Sequence, residues 1–168
     1  MSMVSNSTQI RQATPQDVDC VSGVLVGAAD WLREQGIPMW RADELSPDRV
    51  TADVLRGDFF VAEIGGEIAG TVKFQLQDKL FWPDVPADEA AFVHRLAVRR
   101  SNAGGHISGM LLRWAADRAR SYQRQFLRID CEAGRPRLRA VYERFGFRYH
   151  SDRQVGPYLV ARYEQELQ

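Results

Sequence analysis

Val18, Val21, Leu25, Ala28 and Leu32 recur at the three- and four-residue intervals that line one face of a helix. Ahead of them Thr14-Pro15 supplies a capping hydroxyl and a first-turn proline, with Asp17 as a first-turn acid. Gly36 closes the run, so a first helix is predicted after a short strand at Ile10–Ala13. Ser46-Pro47 repeats the start signal, and Gly57 ends a shorter second helix.

The period then changes to two. Phe59–Ile64 and Glu67–Leu76 flank Gly65-Gly66, a pair that supplies the positive φ angles of a tight hairpin. In the second arm Gly70, Val72, Phe74 and Leu76 alternate with Thr71, Lys73 and Gln75, the pattern of a half-buried antiparallel strand. Pro83 and Pro86 make Gln77–Glu89 a loop, one that carries Phe81 and Trp82. Ala91–Val98 is a strand, and Ile107, Met110, Leu111, Trp114 and Ala115 share a face of the helix after it. Phe126–Glu132 is a further strand, and Pro136–Phe145 a helix with Leu138, Val141, Tyr142 and Phe145 inward and Gly146 as its stop. Phe147–Ser151 and Tyr158–Glu166 close a sheet through Gly156-Pro157. An α/β (α+β) sandwich around one mixed sheet follows from this order of elements.

At 168 residues and 45% hydrophobic the chain fills one core with little left for a second, which predicts a polar terminus at 1–8 and a single domain over 9–168. Lys plus Arg number 22, as do Asp plus Glu, so no net field draws the chain to nucleic acid or to a membrane surface. Cys20 and Cys131 have no spacing that suggests a metal site or disulfide framework, and both are expected to be buried, reduced thiols. The opening residues lack the basic start and apolar run of a secretory signal, and no stretch reaches spanning length, so a cytoplasmic location is expected.

The informative segment is strand, glycine-rich turn, helix: Phe92–Val98, then Ala103-Gly104-Gly105-His106, then Ile107 onward. A helix start offers unpaired N–H groups and the positive end of a dipole, and glycines let a phosphate approach that backbone, so the turn suits a pyrophosphate. Many strand-to-helix turns also need glycine for steric reasons alone. No Lys-Ser or Lys-Thr follows the glycines, which argues against a nucleoside triphosphate site.

Leu96-Ala97-Val98, Arg99-Arg100, Gly104-Gly105-His106-Ile107-Ser108 and Leu111-Leu112 resemble the first signature of the GNAT acetyltransferase family. Leu138-Arg139-Ala140-Val141-Tyr142, running to Gly146-Phe147, resembles its second. The resemblance implies a central mixed, mostly antiparallel sheet of six to seven strands flanked by about four helices. It implies that acetyl-coenzyme A is the cosubstrate, with no metal, and that a small-molecule amine is acetylated by direct attack without a covalent enzyme intermediate. In that scheme the fourth strand splays from the fifth, and the backbone of Leu96, Ala97 and Val98 bonds the pantetheine. The pyrophosphate lies on Ala103, Gly104, Gly105, His106, Ile107, Ser108 and Gly109, and Tyr142 is the general acid at the thioester sulfur. Homodimers through the final strands are common among members.

Ala103, His106 and Ser108 depart from the family's basic and glycine positions, and a side chain at His106 is harmless only if that residue does not need a positive φ. Arg135, where the family often has a polar residue before the last helix, is a candidate cofactor contact, with a solvated surface role as the alternative. His94 is a candidate general base against the alternative of a histidine satisfied in the sheet, and Asp88 and Glu89 are weaker candidates. Arg95, Arg99 and Arg100 stand where they could neutralise phosphates. Trp31, Trp40, Phe81 and Trp82 are candidates for an aromatic substrate wall, or for plain packing. A noncatalytic module of the same fold, binding an acyl-coenzyme A or a protein partner, is the alternative to the enzyme.

Overall fold

Residues 7–104 and 106–168 are described in a computed structural model of the chain; the polar terminus expected at 1–8 falls almost wholly outside them. The elements follow in the predicted order: β1 (Thr8–Gln12), α1 (Val18–Glu34), α2 (Pro47–Leu55), β2 (Phe59–Ile64), β3 (Glu67–Gln75), β4 (Ala90–Val98), α3 (Ile107–Ser121), β5 (Phe126–Glu132), α4 (Pro136–Arg144), β6 (Arg148–Val155) and β7 (Tyr158–Glu166). The seven strands form one mostly antiparallel sheet in the order β1-β2-β3-β4-β5-β7-β6, with β4 and β5 parallel. No helix among the described residues is long and apolar enough to cross a membrane. By its internal contacts the chain falls into two compact units, one running up to Lys73 and including Arg95–Leu111, the other Phe74–His94 with Leu112–Gln168.

In the first unit Val18, Val21, Val24, Leu25 and Ala29 of α1 and Val50 and Val54 of α2 pack with Phe59, Val61 and Ile68 of the sheet. Each fully buried Leu or Val there contributes on the order of 1.5–3 kcal/mol. The hairpin turns through Gly65 (φ 57) and Gly66 (φ 85), both in the left-handed conformation that such a two-residue turn requires. Beyond it the register shifts so that Glu63 faces Ile68 while Ala62 faces Gly70, leaving Ala69 as the extra residue of a bulge. The half-buried reading of β3 is corrected here: Ile68 to Val72 are buried on both faces, and Thr71 is tolerated because its hydroxyl donates to the Phe60 carbonyl at 3.2 Å.

In the second unit β5 pairs with β7 and β7 with β6, both antiparallel. β6 runs to Val155, four residues past the predicted end. Ser151-Asp152-Arg153-Gln154 carries no apolar alternation because β6 is an edge strand, paired by its backbone and exposed along much of its length. Phe147, predicted to start that strand, is instead buried with its ring 6.1 Å from Tyr142. Cys131 is buried as expected, and burial pushes its thiol up to about 11. Cys20 is exposed, contrary to expectation, because it follows Asp19 on the outer side of α1, away from Val18, Val21 and Leu25.

Entry into α1 is held by charge. Arg11 donates to both Asp17 carboxylate oxygens at 2.7 and 3.0 Å and to Glu63 at 2.9 Å, while the Thr14 amide and hydroxyl donate to Asp17 at 2.7 and 3.0 Å. The Arg11 bonds, with those from Thr14, outweigh burial and hold the Asp17 carboxyl down at about 2, against 3.8 when unperturbed. Because the folded value is the lower one, this contribution is present above about pH 4 and lost as pH falls toward 2. In denaturant titrations the stability gap between the natural chain and Asp17→Asn should narrow as pH falls through that window, and a gap that stays constant would contradict the assignment.

Candidate active site

Three features meet at the start of α3, all in the first unit. Gly104 has φ +81, a conformation costly for any other residue, and it turns the chain after the 3-10 turn at Arg100–Asn102. The Met110 amide donates to the His106 carbonyl at 2.9 Å, which makes His106 the cap of α3 rather than a residue within the turn. Gly105 lies outside the described residues. The helix then runs fifteen residues, and its first-turn amides, at Ile107, Ser108 and Gly109, have no intrahelical partner.

Gly70 sets where that helix end lies. A Cβ built on it would stand 3.0 Å from Ile107 Cγ2, 3.1 Å from the Ala97 carbonyl oxygen and 3.3 Å from Leu111 Cδ1. The bare backbone of β3 therefore lets the first turn of α3 settle against the sheet. Along β4, Arg95 adopts φ +53, a left-handed residue inside a strand, with its side chain 3.5 Å from Glu44 and 5.2 Å from the Trp40 ring. Arg99 is tied through its amide to Ala69 O at 2.7 Å and through Nε to Ile68 O at 3.0 Å, and the Arg100 guanidinium lies 3.8 Å over Trp31.

In the second unit two buried arginines hold the proline-bearing loop. Arg162 donates to both Asp84 oxygens at 2.7 and 3.0 Å and to the Phe81 carbonyl at 3.1 Å, and Arg128 pairs with Glu89 at 2.9 Å and Glu164 at 3.0 Å. The Trp82 ring lies against both, 4.6 Å from the Arg162 guanidinium and 5.1 Å from that of Arg128. It is only 2% exposed and packs with Ala90 and Phe92.

The loop so anchored delivers Asp78 and Phe81 to His94. His94 Nε2 lies 2.7 Å from Asp78 Oδ2, its Nδ1 lies 3.8 Å from Asp130 Oδ2, and the Phe81 ring centroid is 5.5 Å from the imidazole. Burial raises the Asp78 carboxyl, but the His94 bond and charge and the Phe81 and Leu80 amides outweigh it, so the net direction is down. Asp130 moves the other way: burial holds it up against the charge of His94, and Asp78 adds to the rise. The parallel β4–β5 ladder runs from Ala90–Phe126 to Val93–Ile129, ending one residue before His94.

Tyr142 is 6% exposed, with Phe147 and Tyr163 rings each 6.1 Å away. Burial pushes its phenol far above the ordinary value, so it is a neutral O–H donor throughout the neutral range.

A profile described as "Acetyltransferase (GNAT) family" matches residues 25–147. The chain belongs to this family. The uncharacterized N-acetyltransferase YesJ of Bacillus subtilis is 29% identical over 156 residues, 89% of this chain and 87% of YesJ. A GNAT-family acetyltransferase structure from Listeria monocytogenes superimposes with TM-score 0.81 at 22% identity, covering 99% of each chain. The PaiA N-acetyltransferase of Thermoplasma acidophilum, solved in complex with coenzyme A, gives TM-score 0.75 at 16% identity over 95% of this chain and 99% of that one. The protein is thus an acyltransferase of the GNAT N-acetyltransferase type.

Within this GNAT chain the first unit holds Leu96, Ala97, Val98, Ala103, Gly104, His106, Ile107, Ser108 and Gly109, together with Trp31 and Trp40. The second holds Phe81, Trp82, His94, Arg135 at the cap of α4, and Tyr142. Glu89 is engaged by Arg128, and Asp88 is exposed with Arg124 at 3.5 Å. Asp78 and Asp130 escaped the sequence reading. Asp130 left one signal, a carboxylate between Ile129 and Cys131 in an otherwise apolar stretch; Asp78 left none, since a carboxylate after a strand is ordinary loop composition.

Gly70→Ala should lower stability by about 1–3 kcal/mol, as overpacking does, and should weaken coenzyme A binding by displacing Ile107. Denaturant melts and calorimetric titration check this; an unchanged affinity would detach Gly70 from the role given to the helix start.

Proposed function

We propose that this GNAT protein is an acetyl-coenzyme A dependent N-acetyltransferase whose acceptor is a small-molecule amine, acetylated by direct attack. The observation that carries the reading is the helix start itself: Gly104 in the left-handed conformation, His106 as cap, and consecutive first-turn amides behind them. That chemistry fits a diphosphate, and the neighbour solved with coenzyme A supports the choice. The backbone of Leu96, Ala97 and Val98 is assigned to the pantetheine and Ala103 to Gly109 to the diphosphate, with Arg135 as an additional contact. Bound acetyl-coenzyme A supplies an activated acyl carbon and a thiolate leaving group.

The remaining steps belong to side chains. His94 takes a proton from the acceptor ammonium, and Asp78 orients the ring by its bond to Nε2. Tyr142 presents its O–H to the departing sulfur, a role its burial suits because the phenol stays neutral. Phe81, beside the His94 ring, lines the acceptor's approach, with Trp82 fixing the loop behind it. The Cys131 thiol, pushed up and buried, plays no part as a nucleophile.

Release of free thiol from acetyl-coenzyme A over an amine panel tests the reading. Tyr142→Phe and His94→Gln should each lower kcat by roughly 10²-fold or more, while leaving the dissociation constant of coenzyme A within about twofold. Full turnover in both variants would remove these roles, and failure of the natural chain to bind coenzyme A would remove the function.

A further inference from the structure

The Asp78, His94 and Asp130 side chains form a group with an unmet demand. One ligand atom from each lies within 4.8 Å of the others, and their side chains are only 6%, 17% and 9% exposed. Asp130 Oδ2 is buried without a hydrogen-bond partner, and burial outweighs the charge of His94, a Trp82 hydrogen bond and the charge of Arg162, all of which favour the ionised carboxylate. Phe81 stands against the histidine ring, with its centroid 5.5 Å from that of the imidazole.

A metal ion fits this group poorly. With Nε2 turned to Asp78, only the Nδ1 lone pair and Asp130 Oδ2, 3.8 Å apart, are left to face an ion, two ligands where a resident metal commonly takes three or more from the protein. An alkylammonium ion fits better. Its donors diverge from one nitrogen, and at bond lengths of about 2.8 Å that nitrogen reaches both His94 Nδ1 and Asp130 Oδ2, 3.8 Å apart, and leaves the Asp78 bond to Nε2 in place. An aromatic ring beside it adds cation–π attraction. A guanidinium would present a planar fork shaped for both oxygens of one carboxylate, which this arrangement does not offer.

We infer that Asp130, with Asp78, His94 and Phe81, forms the seat of the acceptor's ammonium group, so that the substrate is a primary alkylamine with no carboxylate beside its amino group. The inference rests on the N-acetyltransferase reading above and narrows its substrate class. An α-amino acid would bring its own carboxylate against two others and be repelled. Arrival of a cation also explains how a carboxyl that burial holds upward can be ionised when it matters: the ammonium replaces the solvation that folding removed.

The test compares each amine with its carboxylated counterpart: 2-phenylethylamine with phenylalanine, and 3-methylbutylamine with leucine, by thiol release with the full chain. The amine of each pair should exceed the amino acid in kcat/KM by at least about a hundredfold. Asp130→Asn should raise KM for the amine at least about tenfold, change kcat less, and leave coenzyme A affinity within about twofold. Because the paired comparison needs no variant, it stands even if Asp130→Asn does not fold. Equal use of both members of each pair, or an unaltered KM in a folded Asp130→Asn, overturns the ammonium seat while the acetyltransferase reading stands. Absence of thiol release with every amine overturns both.

Discussion

The arrangement of this chain turns on the backbone of one strand, β4, which changes its conformation within a few residues. From Ala90 to Val93 it pairs in parallel with β5; His94 then faces two carboxylates; and Arg95 takes a left-handed φ of +53 before the strand resumes toward Val98. A non-glycine residue held there costs on the order of 1–3 kcal/mol and persists only where surroundings enforce it. Glu44 and Trp40 hold the Arg95 side chain, and Arg99 is tied twice to β3. The strand therefore carries both the segment assigned to pantetheine and the histidine assigned to proton transfer, although the two fall in different compact units.

Each unit solves a separate problem of positioning. In the first, the problem is to bring a helix end close to a strand, and the absence of a side chain at Gly70 solves it more simply than any added contact would. In the second, the problem is to give a proline-bearing loop a fixed shape without ladder hydrogen bonds. Arg162 does this by binding Asp84 through both oxygens and the Phe81 carbonyl, with the Trp82 ring against two guanidiniums. Buried arginines of this kind are retained only with their charges met, and here Asp84, Glu89 and Glu164 meet them. The contacts of His94 with Asp78 and Phe81 thus depend on a clamp that does not itself touch the imidazole.

The proton chemistry divides along the same lines of environment. Asp78 is held low by its bond to His94, Asp130 is held high by burial, and Tyr142 is kept a phenol by the rings and backbone around it. Carboxyls and a phenol within one unit are thereby pushed apart in proton affinity by burial and neighbours alone, which is the usual physical basis of assigned acid and base roles.

The order of elements, the glycine hairpin, the helix starts at Ser46-Pro47 and Pro136 and the glycine turn before α3 were all legible in the sequence, because each depends on local φ preference or on the spacing of apolar side chains. The inward position of Tyr142 was legible in its helical spacing, and the fold buries it. What only tertiary structure decided was whatever depends on partners distant in the chain. Asp78 lies sixteen residues from His94, and nothing in its neighbours marks it as a ring-orienting group. Trp82 looked like one of several loop aromatics until Arg128 and Arg162 enclosed it; Cys20 looked like core until the rotation of α1 turned it outward; β6 outran its apolar residues because an edge strand needs backbone partners, not a hydrophobic face. Periodicity reports which face of an element is buried, whereas the charge, solvation and hydrogen bonding of a given side chain are set by atoms that folding brings to it.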